Sequence, residues 1–500
     1  MSFKKKANAH ERRTASFGSI IKMKLYDLIE GLSETTLENI EITDLTSDNR
    51  KDFKKGAMFV CIKGNTFDGH SVARQMIEKG ASCVVVQKDL GIENQIIVSD
   101  TREIYPALCA NWFSNPQKKL RLIGVTGTNG KTTITTVIKK VLTELGVKVG
   151  LIGTCQNEIG DKILHTERTT PEPYDLYELL AQMAEEKCEF TVMEVSSQAL
   201  EQKRVGPLHF DIALFTNLTQ DHLDVHGTME NYYKAKKLLF SMCDKALINI
   251  DDESGKRYLK EIQCEKYSFS TTENADFKAD DIRLSASGVE YSFSDGEARL
   301  PVRFNMPGHF NVSNSLAVIA CLDKLGFETE KIIKLIDKTS GVRGRAEVVP
   351  TGRDFTVICD YAHTPDALVN ILSAIKSCSS GRVVCLFGCG GNRDKRKRPL
   401  MARAAAENAD FLVVTSDNPR DEDPEDIIKD VLTGLEGTDT PYITIADRIE
   451  AIHWAVKNAQ KDDIIILAGK GHEDYQILPG GVKIHLDERE VVAEALKELK

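Results

Sequence analysis

Short apolar runs alternate with amphipathic stretches along nearly the whole chain, which is the pattern of an α/β protein. The apolar runs predict strands, and the stretches between them predict helices. From Leu122 onwards, loops rich in Gly, Asp and His follow the predicted strands. Open α/β sheets bind ligands at that end of their strands. We therefore predict an α/β fold with ligand sites at the strand ends.

The pattern divides the chain into an extension and three domains. We predict a polar extension over residues 1–22 and domains over 23–112, 113–343 and 344–500. The polar segment 115–121 contains a proline, which predicts a linker. Polar and apolar side chains alternate over residues 266–304, which predicts that the second domain ends in antiparallel strands.

Composition excludes several classes of function. The 500 residues include 65 Lys and Arg against 75 Asp and Glu, a net charge of −10 with histidine neutral. This acidic balance argues against nucleic-acid binding as the main function. No apolar run approaches the ~20 residues that span a bilayer, and the 12 cysteines are scattered singly. We therefore expect a cytoplasmic protein with reduced cysteines that binds neither nucleic acid nor membrane.

Residues 125–133, VTGTNGKTT, carry the strongest local signal. They follow an apolar strand and precede a helix whose apolar residues share one face. A glycine-rich loop that ends in Lys-Thr between strand and helix is the layout of a P-loop. In that layout Lys131 neutralises the terminal phosphates of a nucleotide, and the Thr132 hydroxyl binds Mg²⁺. Val125 stands where the usual P-loop has a leading glycine or alanine.

Two further segments of the second domain offer metal ligands. Glu194 ends a predicted strand and is either a metal ligand or an exposed strand terminus. The block 216–237 is dense in Asp and His, a pattern that also fits a solvated turn. Because the P-loop belongs to the same domain, we predict that Glu194 and His222 bind a metal ion.

The third domain places Asp360, His363 and Arg393 after predicted strands. The basic run 395–398 is either a solvated charge patch or a surface facing anionic ligands, and its position after a glycine-rich strand end favours the second interpretation. The residues alone thus predict an enzyme that uses Mg-ATP and presents polar groups of its third domain to a second ligand.

Nine ordered motifs resemble those of the Mur ligases: GTNGKTT, EVSSQAL, TNLTQDHLDVHG, GHFNVSN, GVRGRAE, DYAHTPDAL, GGNRDKRKRP, DNPR and GKGHEDYQ. The resemblance covers residues 23–500. It implies an N-terminal UDP-binding domain, a central ATP-binding domain and a C-terminal Rossmann-like domain that binds an amino acid. The motifs are similar to the branch that extends UDP-N-acetylmuramoyl-L-alanyl-D-glutamate by its third amino acid.

The resemblance also implies which residues bind the nucleotide-sugar peptide and ATP. The residues implied to bind the nucleotide-sugar peptide are Ser47, Asp68, Gly69, His70, Thr169, Thr170, Ser196, Gln202 and Arg204. For ATP they are Gly127, Thr128, Asn129, Gly130, Lys131, Thr132, Thr133, Asn311, Asn314, Arg345 and Asp360. Arg168 and Gln198 stand where many relatives have asparagine and histidine.

The implied metal site holds two Mg²⁺ ions. Its ligands are Thr132, Glu194, His222 and Lys236, the last as a carbamate formed with CO₂. A free ammonium would repel Mg²⁺, whereas a carbamate supplies an anionic oxygen. The implied catalytic residues are Lys131, Glu194, His222 and Lys236.

The implied amino-acid pocket binds meso-diaminopimelate through Arg393, Asp417, Asn418, Pro419, Arg420, Gly469 and Glu473. This amino acid differs from L-lysine by a distal carboxylate, and the guanidinium fork of Arg420 suits both carboxylate oxygens.

The implied activity is ATP-dependent amide formation through an acyl phosphate, in peptidoglycan precursor synthesis, by a monomer that acts on small molecules. One alternative is the L-lysine-adding ligase of the same family, and another is a ligase of the wider superfamily that acts on folate or cyanophycin. More distant alternatives are a P-loop phosphotransferase or NTPase and a non-catalytic UDP-sugar-binding scaffold.

Overall fold

The computed structural model describes residues 22–50, 54–64, 67–221, 223–285, 287–339, 341–376 and 379–499. The predicted extension therefore lies outside the described residues except for Lys22. Two compact units are present. The first contains the described residues up to Arg121 together with Thr170–Glu189 and Ser197–His209, and the second contains the rest.

The first unit is built on a parallel sheet of four strands in the order Leu45–Thr46, Met58–Val60, Cys83–Val86 and Gln95–Ile97. The strand Cys83–Val86 is buried throughout, as its β-branched residues predict. A short antiparallel pair joins Met23–Lys24 to Glu41–Ile42. The helices are Leu25–Leu28, Ala73–Glu78, Thr101–Trp112, Pro173–Glu185 and Ser197–Glu201.

The second unit contains a sheet of eleven strands. Their spatial order is Lys162–Leu164, Asn157–Ile159, Val149–Ile152, Phe190–Glu194, Arg121–Thr126, Phe210–Phe215, Cys243–Asn249, Glu265–Ser270, Phe277–Ser285, Gly288–Ser294 and Arg299–Phe304. The central strands are parallel, and Phe215 is paired in register with Thr126. The residues that follow these strands therefore lie along one edge of the sheet.

Four helices of the second unit lie between these strands along the chain: Lys131–Glu144, Leu223–His226, Met229–Lys237 and Glu253–Glu261. Two more, Phe310–Lys324 and Thr329–Lys338, follow the last strand. The predicted apolar face of Lys131–Glu144 is buried, because Ile134, Val137 and Val141 belong to the core below the sheet. Phe310–Lys324 packs against this helix and contributes eight apolar residues to the same core.

One strand prediction is wrong. Glu265–Ser270 was expected to be antiparallel, yet it pairs in parallel with Cys243–Asn249. The helix Glu253–Glu261 connects these two strands, and such a crossover returns the chain in the same direction. The next strand, Phe277–Ser285, is parallel to Glu265–Ser270 but antiparallel to Gly288–Ser294. Gly288–Ser294 and Arg299–Phe304 are antiparallel to each other, as predicted.

The last part of the second unit forms a sheet of six strands. Their order is Glu347–Val349, Thr356–Asp360, Ile464–Ala468, Val383–Phe387, Phe411–Val414 and Tyr442–Thr444, all parallel except the first. Apolar clusters cover both faces of this sheet. The helices are Pro365–Lys376, Lys397–Asn408, Pro424–Leu432, Arg448–Lys457 and Glu488–Glu498, and a hairpin joins Tyr475–Leu478 to Val482–His485. No helix in the described ranges has the length and apolar character needed to cross a membrane.

Candidate active site

The predicted P-loop connects the strand Arg121–Thr126 to the helix Lys131–Glu144. Gly127 has φ +146°, and a Cβ there would lie 1.8 Å from Thr216 Oγ1. Gly130 has φ +89°, and its Cβ would lie 2.6 Å from Asn314 Oδ1. Both positions therefore require glycine for conformation and for space. Asn217 accepts from the Asn129 N–H through its Oδ1 at 2.9 Å and fixes the loop from the neighbouring strand end.

Thr132, the first-turn threonine of that helix, contacts the carboxylate that ends strand Phe190–Glu194. Its Oγ1 donates to Glu194 Oε2 at 3.1 Å. Glu194 is 1% exposed and also accepts from Thr154, at 2.9 Å from the N–H and 3.0 Å from the hydroxyl. The sequence did not single out Thr154. Glu194 is therefore a buried, oriented carboxylate, and the alternative of an exposed strand terminus is wrong.

Two lysines converge on one carbonyl of the P-loop. Lys131 Nζ and Lys236 Nζ each donate to Gly127 O at 2.8 Å, and Lys131 also donates to Thr128 O. Lys236 is 2% exposed. Burial, reinforced by the charge of Lys131, holds the pKa of the Lys236 ammonium well below its usual range. Burial also lowers the pKa of Lys131.

Arg345 reaches the P-loop from the beginning of the six-stranded region. Its Nη2 donates to Thr132 Oγ1 at 3.2 Å, and the guanidinium lies 4.8 Å from the centre of the Tyr361 ring. Asp360 accepts from the backbone N–H groups of Ala346 and Ala362 and so fixes the segment that carries Arg345. Burial raises the pKa of the Asp360 carboxyl.

Lys131, Thr132, Glu194 and Arg345 line a cavity of about 520 Å³. The predicted ATP residues on its wall are Thr128, Asn129, Gly130, Lys131, Thr132, Thr133, Asn314, Arg345 and Asp360. Residues that the sequence did not assign to ATP also line it, among them Asn249, Phe269, Phe310 and Tyr361. Asn311 is fully buried behind this wall, where it donates to Pro307 O and accepts from the Asn314 amide.

The oxygen atoms of two side chains in the cavity could serve as ligands of a magnesium ion. Mg²⁺ in nucleotide sites is held by one or two protein oxygens together with phosphates and water. The adjacent Thr132 hydroxyl and Glu194 carboxylate supply such a pair. His222 lies outside the described residues. Within the described ranges, no three His, Cys, Asp or Glu side chains converge as a metal site.

The first unit contains most of the residues predicted to bind the nucleotide sugar. Asp68 accepts from His70, through the backbone N–H at 3.0 Å and the ring Nδ1 at 2.6 Å, while His70 Nε2 accepts from the Gln87 N–H. A Cβ on Gly69 would lie 2.9 Å from the Ile62 nitrogen, so the turn requires glycine. Ser47 bonds to the buried Tyr105 hydroxyl.

Arg204 organises a second group in the same unit. Its guanidinium donates to Gln202 Oε1 at 2.9 Å and to Thr170 O at 3.2 Å, and it forms an ion pair with Glu172. Arg204 is 6% exposed. In the second unit, Thr169 lines the cavity and bonds to the Thr154 hydroxyl at 3.0 Å, and Ser196 lies two residues after Glu194.

The predicted amino-acid residues Asp417, Asn418 and Glu473 lie together at the strand ends of the six-stranded sheet. Asn418 Nδ2 donates to Glu473 Oε2 at 3.0 Å. Lys470, which the sequence did not assign, contacts all three residues. The signal that could have found it is its position directly after the apolar strand Ile464–Ala468 and Gly469.

Arg420 and Arg393 approach the same glycine-rich turn. Arg420 Nη1 donates to Gly391 O at 2.9 Å. A Cβ on Gly390 would lie 2.9 Å from that Nη1 and 3.6 Å from Arg393 Cγ. Pro419 is buried, and its carbonyl would clash with a Cβ on Gly391.

Three of the four residues in the basic run 395–398 pair with carboxylates of the protein itself. Lys395 pairs with Glu422, and Arg396 with Asp394. Arg398 is 2% exposed and pairs with Glu422 and Asp430. The prediction that the run faces anionic ligands is therefore wrong for Arg398, which packs the start of its own helix against neighbouring acidic residues.

Family models match three parts of the chain. The Mur ligase family catalytic domain matches residues 49–112, the Mur ligase middle domain 125–322, and the Mur ligase glutamate ligase domain 344–471. A relative from Clostridium acetobutylicum, UDP-N-acetylmuramoyl-L-alanyl-D-glutamate--2,6-diaminopimelate ligase 1, is 47% identical over 467 residues, which are 92% of this chain and 96% of the relative.

Two solved structures show the same architecture. One is a UDP-N-acetylmuramoyl-L-alanyl-D-glutamate--2,6-diaminopimelate ligase, 32% identical, with a TM-score of 0.70 over 95% of this chain and 99% of that chain. The other, a MurF ligase from Thermotoga maritima in complex with ADP, shares the fold at 16% identity, with a TM-score of 0.60 over 91% of this chain and 97% of that chain.

The fold and the cavity define a three-domain α/β protein with a P-loop nucleotide site. The chain belongs to the Mur ligase family, as its motifs predicted.

Proposed function

We propose that this protein is an ATP-dependent ligase that joins meso-diaminopimelate to UDP-N-acetylmuramoyl-L-alanyl-D-glutamate. The observation that carries the ligase chemistry is the position of Thr132, in contact with both the Glu194 carboxylate and the Arg345 guanidinium. The identity of the relatives supports the choice of substrates.

The first step transfers a phosphoryl group. An oxygen of the D-glutamyl γ-carboxylate attacks the γ-phosphorus of ATP, the bond to the bridging oxygen breaks, and ADP leaves. Lys131 and Arg345, which both line the cavity, compensate the negative charge on the transferred group. Thr132 and Glu194 would hold Mg²⁺, which supplies further neutralisation of phosphate charge when bound.

The second step forms the amide. The amine of the incoming amino acid attacks the acyl carbon, the carbon–oxygen bond to phosphate breaks, and the nitrogen gives a proton to the released phosphate. No side chain forms a covalent intermediate. The pocket around Asn418 and Glu473 holds and orients the amino acid, and effective positioning accounts for much of the acceleration in such a step.

Lys236 is proposed to carry a carbamate. Two facts support this assignment: Lys236 is almost fully buried, and its amine shares an acceptor with the Lys131 ammonium. Two neighbouring cations repel each other in a buried site, whereas an anionic carbamate would attract Lys131. His222 is proposed as a further Mg²⁺ ligand from the motif alone. We also propose that the protein is a cytoplasmic monomer that acts on small molecules.

The proposal is tested by phosphate release with UDP-muramoyl-dipeptide, ATP and a panel of diamino acids. A ligase releases phosphate in proportion to product only when all three substrates are present. Release without the amine would favour a P-loop NTPase instead. Equal turnover of L-lysine and meso-diaminopimelate would favour the lysine-adding ligase of the same family.

A further inference from the structure

Lys470 is a fully buried ammonium beneath the proposed amino-acid pocket. Its side chain is 0% exposed. The Nζ atom donates to Asn418 Oδ1 at 2.5 Å and to Tyr475 O at 2.9 Å, and it lies 3.3 Å from carboxylate oxygens of Asp417 and of Glu473. Such a buried charge is tolerated only where oxygens surround it, so these contacts hold both the lysine and its partners.

The first consequence concerns the orientation of the Asn418 amide. Its Oδ1 accepts from Lys470 Nζ and from the Ile477 N–H at 2.9 Å. A flipped amide would point its NH₂ group at the ammonium. Lys470 therefore forces Asn418 Nδ2 towards Glu473, to which it donates at 3.0 Å. Lys470 thus positions the Glu473 carboxylate in two ways: by its own contact with this carboxylate, and by orienting the Asn418 amide that donates to it.

The second consequence concerns Asp417. Its Oδ1 is buried and has no hydrogen-bond donor among the described residues, and the Lys470 ammonium is the cation beside it. Lys470 also lies beside Glu473. Two carboxylates held near one another repel, and a cation that contacts both removes this repulsion. Without the ammonium, one of the carboxylates is expected to move away.

The third consequence concerns Arg420. This residue has φ +53°, a strained conformation for arginine that the surroundings must impose. Its N–H donates to Ile477 O at 3.1 Å, while the Ile477 N–H donates to the Asn418 side chain that Lys470 fixes. The Lys470 ammonium thereby links the loop that carries Arg420 to the hairpin strand Tyr475–Leu478.

We propose that Lys470 is a positioning residue for specificity: it does not touch the amino acid but arranges Asp417, Asn418, Glu473 and Arg420 to receive a diamino dicarboxylic acid. This inference rests on the proposed function, because it assumes that the pocket binds that class of substrate. Lys470 is thereby added to the residues that determine specificity, although it lies beneath the pocket and does not line it.

The test compares Lys470→Met with the wild-type enzyme and with Lys483→Met. Lys483 is a matched control because both ammonium groups lie over the Tyr475 ring, Lys470 at 5.9 Å and Lys483 at 4.2 Å from its centre, but Lys483 is exposed. For Lys470→Met we expect KM for meso-diaminopimelate to rise about 30-fold or more, while KM for ATP changes less than about 3-fold. We also expect the preference for meso-diaminopimelate over L-lysine to fall about 10-fold. Lys483→Met should match the wild type.

An unchanged KM for diaminopimelate in Lys470→Met would overturn the inference, as would equal losses for ATP and diaminopimelate. If Lys470→Met does not fold, a crystal structure of the wild-type enzyme with meso-diaminopimelate decides. Lys470 Nζ should then contact Asp417, Asn418 and Glu473 and not the ligand, and a direct contact with the ligand would contradict a positioning role. Failure of the wild-type enzyme to use diaminopimelate would instead refute the proposed function.

Discussion

The Thr132 hydroxyl donates a hydrogen bond of 3.1 Å to a carboxylate oxygen of Glu194, 62 residues further along the chain. Parallel strands bring the two residues to one edge of the sheet, where the P-loop begins its helix. A hydroxyl and a carboxylate side by side at a helix N-terminus suit a metal-bound nucleotide. The ATP chemistry of the protein is therefore tied to the order of its central strands.

Gly130 should not tolerate a side chain. In Gly130→Ala the new Cβ would lie 2.6 Å from Asn314 Oδ1 on the cavity wall, so we expect ADP affinity to fall at least about tenfold. Isothermal titration with ADP measures this effect. Gly146→Ala is the matched control, because Gly146 has nearly the same φ, +86° against +89°, but no atom within 4 Å of its Cβ. Equal affinities in the two variants would contradict the steric account.

Lys131→Ala should abolish amide formation while binding of the UDP substrate survives. The lysine lies at the P-loop, whereas the residues proposed to bind uridine belong to the first unit. Phosphate release and titration with the UDP substrate measure the two effects. Lys162→Ala removes an exposed lysine of the second unit and should behave as wild type. Turnover of Lys131→Ala within a few-fold of wild type would refute the P-loop assignment.

Lys236→Ala should be nearly inactive. Bicarbonate should not restore it, because no amine remains to be carbamylated, but a short carboxylic acid should restore part of the activity. Lys234→Ala is the control on the same helix, since Lys234 is exposed and Lys236 is 2% exposed. Full activity of the Lys236→Ala enzyme would exclude a role for the carbamate. A mass spectrum that shows unmodified Lys236 would not, because carbamates are easily lost.

His472 should make the protein less stable in mild acid. Burial, followed by the charges of Arg345 and Arg343, lowers the pKa of this imidazole from 6.5 to about 4. Because the unfolded state binds the proton first, the free energy of unfolding should fall between pH 6.5 and 4, by up to about 3 kcal/mol. Denaturant unfolding of the wild type and of His472→Gln at several pH values measures how the free energy of unfolding changes with pH. An identical pH dependence in both would show that other groups control acid stability.

Local sequence patterns predicted the P-loop and most of the strands, because apolar runs and a glycine-rich turn are encoded within a few residues. The predicted family, fold class and ligase assignment are confirmed. Long-range contacts were not predictable in this way. The parallel direction of Glu265–Ser270, the burial of Asn311 and the central position of Lys470 all depend on residues distant in the chain. The predicted domain boundaries and site residues stay predictions.

Arg420 should set the choice of amino acid. If its guanidinium binds the distal carboxylate of meso-diaminopimelate, L-lysine lacks that ion pair and leaves Arg420 partly unpaired. We therefore expect discrimination of about 3–5 kcal/mol between the two amino acids. Arg420→Ala should lose most of the preference by weakening diaminopimelate, with ATP binding intact. Arg396→Ala, which removes an exposed arginine paired with Asp394, should keep the preference.

The most direct test of the whole account is the ratio of kcat/KM for meso-diaminopimelate and for L-lysine in the wild-type enzyme, with saturating ATP and UDP-N-acetylmuramoyl-L-alanyl-D-glutamate. We predict a ratio on the order of 10²–10³ or more in favour of meso-diaminopimelate. Comparable values for the two amino acids would contradict the assignment.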